Sequence, residues 1–558
     1  MAEGNPPRVV RRRRRKCRAC DSCFRKKIKC DSAVPQCNWC HHHDLLCSYS
    51  RNATQATHRQ APTCSASTTP RRSVKLYAGN STTQPAPGEH LRIQWFAVFL
   101  PSGRQWIQAQ TGEVVSLSPY PPSRRVQALK SPANHPLSSN ETASLPDKET
   151  VYNHLRLYTS SVFSQIFPFI SPPLFERTIE TAYCQQDPPD CAIATARACV
   201  FAFMSVASVA SSNDLNDEQI SNIDYYASQA YHLLPIFFGN SITIDCLEAI
   251  LMLCFYSQAV AGDLLSMEIL LCSATRLVFH LQGNPHPSKV DIRSPQANRH
   301  IRNLFWICYC FNHEATMRTG LPPSIDDRDC DLTLPVVPEC PSVFLLFIRL
   351  AIVYSHIYRR LYAPSAMGQT DAELLCTIRE LDGLLEEWKL LIPASTRPTF
   401  RRRPTDAESM TSSVFQLQYH YCMATIHQAS GRCKFWTGNR DTRRQGSSLV
   451  ISVAASRSLL RKFFELELQF HQYNLLFYLP YLTAAMIHLF CNILLNPLDW
   501  DSKADLELVM MAPARVSSPE WPQARAAFHM QIDYVNGLAS EIHRLAHSAI
   551  ARAGTNDR

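Results

Sequence analysis

The chain has 558 residues, 46% of them hydrophobic and 18% charged, with 56 Lys and Arg against 47 Asp and Glu. A chain of this length can bury far more than one small core, so two or more domains are expected. The 16 glycines are never two positions apart and none precedes a lysine, which excludes Gly-x-Gly and Gly-Lys-Ser/Thr phosphate loops.

Positive charge is concentrated at the N-terminus. Residues 1–51 carry a net charge of +9, from 13 basic and 4 acidic residues, and the remainder is neutral with 43 of each. A polyanion is therefore the expected partner. Within a basic arm at 1–16, residues 11–16 are predicted to be a nuclear import signal, a phosphate-contacting arm, or both. A solvated tail without a partner is the alternative.

Six cysteines then repeat one spacing twice. Each half reads Cys-x2-Cys-x6-Cys, and the second half follows the first by 17 residues: Cys20, Cys23, Cys30, then Cys37, Cys40, Cys47. The x2 spacing lets two thiolates bind one metal from a tight turn. Two tetrahedral zinc ions need eight ligands, and six cysteines supply eight only if two of them bridge. The spacing therefore predicts a binuclear cluster with two zinc ions per chain.

The two halves differ in charge. Arg25, Lys26, Lys27 and Lys29 lie between the second and third cysteines, whereas the equivalent gap of the second half begins with three histidines at 41–43. A short helix starting at Cys23 would present Lys26 and Lys27 on one side, and lysine can donate to guanine in the major groove. The alternative is a zinc knuckle that binds protein through a solvated charged helix.

Residues 20–50 resemble the fungal zinc binuclear cluster transcription factors. The resemblance implies that Cys20 and Cys37 bridge the metals, that Pro35 shapes the loop between the halves, and that Lys26 and Lys27 contact bases in CGG-like triplets. It also implies a nuclear location. Two features depart from the family pattern: Cys17 adds a second Cys-x2-Cys, and the histidines at 41–43 crowd the second half.

The remaining 16 cysteines are scattered singly, several of them in apolar runs, such as Cys254, Cys272, Cys308 and Cys491. This usage predicts reduced, buried thiols and no disulfides. The Arg-rich sequence from residue 8 leaves no apolar core for a secretory signal, so an intracellular chain is expected.

Residues 51–148 are rich in Ser, Thr, Pro, Gln and Asn, which predicts a largely disordered linker. One island interrupts it. The stretches 93–100 and 105–115, joined by Pro101, Ser102 and Gly103, are expected to form a small strand pair or to dock on the large domain.

From 149 to 558, apolar residues recur at helical spacing, which predicts an all-α domain. Thr370 and Glu373 form a predicted capping box ahead of an apolar stripe that includes Leu374 and Trp388, and Pro393 closes the segment. A stripe with the same spacing runs from Ile301 to Phe311. Further helices are expected near 197–211, 244–261, 265–281, 342–362, 412–430, 448–469, 475–495 and 521–551.

The same region resembles the fungal-specific transcription factor domain over roughly 150–400. The residues that carry this resemblance are Phe305-Trp306, the turn from Arg318 through Gly320 to Asp327, then Asp329, Asp331 and Pro335, with Leu157-Tyr158 and residues 166–170 upstream. It implies a regulatory domain. From the residues alone, Gly320 ends a helix and the aspartates cap the next turn, a structural role.

Function follows from these segments. We predict a DNA-binding transcription regulator that is not an enzyme, since the residue four after His313 is Met317 and a zinc-protease pair is absent. Double-stranded DNA and the transcription machinery are the expected partners. A zinc-dependent interaction scaffold, or a repressor, is the alternative. Self-association through the large domain, binding of a lone triplet, and control by a small-molecule effector stay open. The apolar stretch 475–495 is expected to be a buried helix and not a membrane span.

Overall fold

The computed structural model describes most of the chain, and the account that follows concerns the residues it describes, namely 19–21, 98–117, 144–185, 190–211, 217–238, 242–284, 293–335, 342–400, 410–433, 447–466, 475–517 and 526–556. The chain divides into two compact units, Met1–Thr82 and Thr83–Arg558. In the first unit, Cys20 is buried and Asp21 is helical. The predicted linker residues 51–97 and 118–143 lie outside the described residues.

The second unit is helical, and no β-strand occurs within the described ranges. Its N-terminal helices are α1 (Pro101–Thr111), α2 (Lys148–Ser160), α3 (Val162–Ile166), α4 (Pro172–Ala182), α5 (Cys191–Ser211), α6 (Asp217–Leu233), α7 (Ile244–Phe255), α8 (Leu264–His280) and α9 (Pro295–Thr319). Its C-terminal helices are α10 (Ser342–Ile357), α11 (Asp371–Leu390), α12 (Met410–Gln428), α13 (Ser447–Glu465), α14 (Leu475–Leu495), α15 (Ser502–Met510), α16 (Ala512–Val516) and α17 (Ala526–Asn556). Single π-helical turns, Tyr256–Val260 and Tyr358–Tyr362, extend α7 and α10.

Two apolar cores hold these helices together. The first gathers side chains from α2 to α10, with Phe169, Phe175 and Trp306 fully buried. The second gathers α1 and the helices from α10 to α17, and includes the fully buried Leu482 and Leu538. Each buried Leu or Phe side chain contributes roughly 1.5–3 kcal/mol by leaving water, so burial on this scale accounts for a stable helical domain.

Helix α10 belongs to both cores. Phe344, Ile348 and Ala351 pack in the first core, whereas Leu350 and Ile357 pack in the second. An α-helix surrounded by protein is apolar around most of its circumference, and α10 has this character. Helix α10 therefore joins the two cores, and Met317 of α9 also packs in the second core.

Residues 98–117, which we call the docking segment, pack against α14 and α17. The ring of Phe99 stacks on that of Phe490, with 6.4 Å between centroids. At the other end, the backbone N–H of Ser116 donates to Glu541 at 2.7 Å, and Arg544 pairs with Glu113 at 2.9 Å. This segment is thus attached to the large domain by apolar and charged contacts.

The turn into α1 requires a glycine. A Cβ at position 103 would lie 2.1 Å from the carbonyl oxygen of Val98, far inside van der Waals contact. The side chain of Arg104 donates to the carbonyl oxygens of Phe99 and Val115, at 2.7 and 3.2 Å, and so closes the segment on itself. Of the two expectations for this island, docking on the large domain is confirmed and the strand pair is wrong.

The predicted helices agree with the structure over the described residues, including the Ile301–Phe311 stripe, which lies in α9. The predicted ends at 467–469 and 521–525 lie outside those residues. The capping box is present at the start of α11: Glu373 N–H donates to Thr370 Oγ1 at 3.3 Å, and Thr370 N–H donates to Glu373 Oε2 at 2.9 Å. Gly320 ends α9 with φ of 69°, as expected. The prediction of burial fails for Cys272, which is exposed, whereas Cys254, Cys308 and Cys491 are buried.

Three helices are long and apolar enough to cross a membrane by length and composition. They contain the windows Cys191–Ser208, Ser342–Tyr362 and Phe477–Leu495, of which 78%, 50% and 83% is buried inside the protein. The third is the predicted apolar stretch, and its side chains pack in the second core. Its hydrophobicity is therefore accounted for by burial within the domain.

Candidate functional site

Of the predicted metal ligands, the structure describes Cys20 alone. Its side chain is fully buried, which fits a thiolate enclosed in a closed metal site. The remaining predicted ligands and DNA contacts lie outside the described residues: Cys23, Cys30, Cys37, Cys40, Cys47, Arg25, Lys26, Lys27 and Lys29.

The chemistry of this donor set suits zinc. Thiolates are soft ligands, and Cys-x2-Cys pairs are typical of tetrahedral structural zinc sites. Six cysteines in two equal halves would enclose the metal without a position for a reactive water, so the site would stabilise a fold and not activate a substrate. Zinc would supply folding free energy there, and the basic residues between Cys23 and Cys30 are the ones that would contact a polyanion.

The turn after α9 is held by a buried carboxylate. Asp327 Oδ1 accepts from the hydroxyl of Tyr309 at 2.9 Å, and its Oδ2 accepts from Ser355 at 2.5 Å and from Arg359 Nη1 at 2.9 Å. The Asp327 side chain is 8% exposed. We call these four residues the Asp327 hub. It joins α9, the turn, and the end of α10.

The electrostatics of the hub are those of a structural ion pair. Burial opposes ionisation of Asp327, but the hydrogen bonds from Ser355 and Tyr309 and the nearby charges outweigh it and keep its pKa below the usual value. Next to it, His313 packs on the Tyr309 ring with centroids 4.2 Å apart, and burial lowers its pKa to about 4. His313 is therefore neutral at pH 7 and fully enclosed.

The sequence could not have revealed this hub. The aspartates of the turn were expected to cap it, and Asp326 does accept from the backbone N–H of Arg328 at 3.0 Å. The role of Asp327 depends on Ser355 and Arg359, which lie 28 and 32 residues further along the chain. Ser355 and Arg359 are four residues apart, which places them on the same face of one helix. This spacing is common on helix surfaces and does not indicate a shared partner.

A second buried polar cluster ties α4, α5, α7 and α9 together. Ligand atoms of Cys199, Asp245 and Glu248 lie within 4.8 Å of one another, a spacing that could hold a metal ion. Here, however, His300 Nε2 lies 2.6 Å from one Glu248 oxygen, Cys199 donates to the other at 3.3 Å, and Thr178 donates to Asp245 at 2.8 Å. Burial raises the pKa of the Cys199 thiol well above its usual value. The cluster is accounted for by these hydrogen bonds.

Comparison with protein families gives two matches. Residues 18–56 match the fungal Zn(2)-Cys(6) binuclear cluster domain, and residues 155–390 match the fungal specific transcription factor domain. The first match contains all six predicted ligands. The second contains the Asp327 hub and α10, and ends at the last residue of α11.

Comparison with individual proteins gives relatives of the same kind. An ABC-transporter-regulating transcription factor of Aspergillus oryzae and one of Aspergillus fumigatus are each 25% identical over 503 residues, which cover 82% of this chain and 54% of each relative. The chain thus spans about half the length of these relatives. A transcriptional regulatory protein of Schizosaccharomyces pombe is 25% identical over 195 residues, or 32% of this chain and 23% of its own length.

Proposed function

We propose that the chain is a fungal transcription regulator of the Zn(2)-Cys(6) binuclear cluster type and not an enzyme, and that it reads CGG-like triplets in nuclear DNA and activates the genes beside them; the two family matches and the named relatives support its class. The observation that carries the proposal is the repeated Cys-x2-Cys-x6-Cys spacing with four basic residues in its first half alone. Control of one metabolic or biosynthetic gene cluster is the biological role we favour, and repression is the alternative.

In this proposal, two zinc ions are held by the six cysteines, with Cys20 and Cys37 bridging them. Lys26 and Lys27 contact base edges, while Arg25 and Lys29 contact phosphates. The arm at 11–16 adds phosphate contacts that do not depend on sequence. The concentration of the chain's whole net charge in residues 1–51 supports this arrangement, because non-specific affinity for DNA depends on how many phosphates are neutralised.

We expect Lys26→Ala and Lys27→Ala each to weaken binding by about 1–3 kcal/mol to a specific DNA duplex, meaning one selected from random sequences for its affinity to the unmodified chain. Affinity for a scrambled duplex should change much less. Replacing the arginines at 11–15 with glutamine should instead weaken both duplexes alike and reduce the salt dependence. Fluorescence anisotropy over a range of salt concentrations measures both effects, with Lys503→Gln in the large domain as the control. Equal losses on both duplexes in the lysine variants would contradict the base-reading role.

The large domain is proposed to regulate this activity. A DNA-reading module needs few residues, and the helical domain at 149–558 has its own two cores. Regulation would act through self-association, a small-molecule effector, or both. A zinc-dependent scaffold that binds protein in place of DNA remains the competing function, and it leaves the clustering of positive charge unexplained.

A reporter gene driven by the selected DNA site tests the regulatory role. We expect the full-length chain to change transcription in a growth-condition-dependent way, and residues 1–97 fused to an unrelated activator to activate under all conditions. The cut is placed at 97 because the docking segment packs with α14 and α17. A longer fragment would include this segment without those helices, and Phe99 and Ile107, which are fully buried in the full-length chain, would be exposed to solvent. A full-length chain that is silent in every condition while the fusion activates would contradict the proposal.

A further inference from the structure

Helix α8 packs against α7 and α9 on one side, and its opposite side is exposed. Leu265 on this side is 48% exposed and Ile269 is 58% exposed. Cys272 and Arg276 follow at helical spacing and are exposed as well. We call this surface, together with the half-buried Glu268, the α8 face. Apolar side chains grouped on one exposed helix face are typical of a site of protein interaction.

The charges of the α8 face are separated along the helix. Glu268 lies four residues before Cys272, and Arg276 lies four residues after it. Neither of the two charged side chains forms an ion pair with another residue in the described ranges. Burial raises the pKa of Glu268 and of Glu314, and the nearby charge of Arg318 opposes the rise in both, so this one cation is shared between two carboxylates. The face thus has an acidic end, a basic end and no net charge, which disfavours a polyanion or a polycation as its partner.

We propose that the α8 face binds the α8 face of a second copy of this chain, with the two helices antiparallel about a twofold axis at Cys272. In such a pair, residues at equal distances on either side of the axis lie opposite each other. Glu268 of each copy then lies opposite Arg276 of the other, so two ion pairs form by symmetry. A parallel arrangement would place like charges side by side, which is unfavourable. The charge pattern therefore favours a second copy as the partner and also fixes its orientation.

Apolar contacts accompany the ion pairs in this arrangement. Leu265 and Phe279 are each seven residues from Cys272, so they lie opposite each other across the axis, and Ile269 lies beside Cys272 of the second copy. One helix from each copy gives a small interface, so we expect a Kd on the order of 10 µM. This pairing rests on the self-association proposed above and adds the surface that performs it.

Sedimentation equilibrium of the full-length chain without DNA tests the pairing, at concentrations from about 1 to about 100 µM, which bracket the expected Kd. Ile269→Glu should raise the Kd for dimerisation at least about tenfold, because it would bury a carboxylate against apolar side chains. Leu390→Glu is the matched control, since Leu390 lies on α11 and is 59% exposed. It should leave the Kd unchanged.

Reversal of the charges tests the orientation. Arg276→Glu would place carboxylates opposite each other, and Glu268→Arg would place guanidinium groups opposite each other, so each variant alone should raise the Kd about tenfold. An equimolar mixture of the two variants should dimerise like the unmodified chain, because the two carboxylates of one variant match the two arginines of the other. Circular dichroism should show the same helix content in every sample.

Chemical crosslinking gives an independent measurement. A short bismaleimide should link Cys272 of one copy to Cys272 of the other, as identified by peptide mapping, whereas Cys376, an exposed cysteine of α11, should form no link to its own copy.

The inference is overturned if the unmodified chain stays monomeric at the highest concentration, or if the folded mixture of charge variants does not dimerise. A dimer whose Kd is unchanged by Ile269→Glu and Arg276→Glu also overturns it, and in that case self-association stands and the α8 face is the wrong surface. Because no DNA is present, failure here leaves the proposed DNA-binding function unaffected.

Discussion

Serine in place of Cys20 or Cys37 is expected to abolish zinc retention and DNA binding by the full-length chain. A bridging thiolate serves two metals, so its loss would leave both ions with incomplete shells. Structural zinc contributes apparent binding free energies of about 10–16 kcal/mol that are also folding free energies, and residues 17–50 contain too few apolar side chains to replace them. The decisive measurements are zinc per chain by mass spectrometry and affinity for a duplex containing the selected site.

Cys17→Ser is the matched control, because Cys17 lies three residues before Cys20 but outside the 17-residue repeat. It should retain two zinc ions and bind DNA like the unmodified chain. Helical circular dichroism should be the same in all variants, since the large domain has its own cores. Equal zinc loss in Cys17→Ser would mean that Cys17 is a ligand and that the ligand set is wrong.

Asp327→Asn is expected to lower the free energy of unfolding of the large domain by about 2–4 kcal/mol. Removing one partner of a buried ion pair costs about 3–5 kcal/mol, and the value is reduced here because the Arg359 side chain is 36% exposed and partly screened by water. An amide also places donors near the hydroxyls of Tyr309 and Ser355, which donate to the carboxylate. Urea unfolding followed by circular dichroism measures the change.

At acid pH, the difference in free energy of unfolding between the unmodified chain and Asp327→Asn should become smaller. The pKa of Asp327 is lower in the folded protein than in the unfolded chain, so its contribution is complete above the unfolded value of about 3.9 and is lost as pH falls through the folded value. Asp329→Asn, an exposed aspartate in the same turn, should change stability by less than about 0.5 kcal/mol. A loss from Asp329→Asn equal to that from Asp327→Asn would show that the hub is not the source.

Local signals in the sequence predicted much of the helical domain. The Thr370–Glu373 box places two reciprocal hydrogen bonds at the start of α11, and both partners are within three residues, so no tertiary information is needed. Gly320 ends α9 because glycine adopts positive φ without steric cost. Long apolar runs such as 475–495 were correctly assigned to helix although Pro480 lies inside α14.

Other features were missed because their causes are not local. Helices α4 and α6 were not predicted: α4 begins with Pro172 and Pro173, which favour a first helical turn but also mark loops, and α6 begins with a polar stretch. The contact of His300 with Glu248 joins residues 52 positions apart.

The sharing of α10 bears on how the domain unfolds. One face of this helix supplies Ile348 to the first core, and another supplies Leu350 and Ile357 to the second. Loss of either core would therefore expose apolar side chains of the same sixteen-residue helix to water. The stabilities of the two halves are thereby linked, and unfolding should proceed as a single cooperative transition. The segment 155–390 that matches the family is therefore expected to be less stable when cut out alone, because it would lose α12 to α17, which supply most of the second core packed on α10.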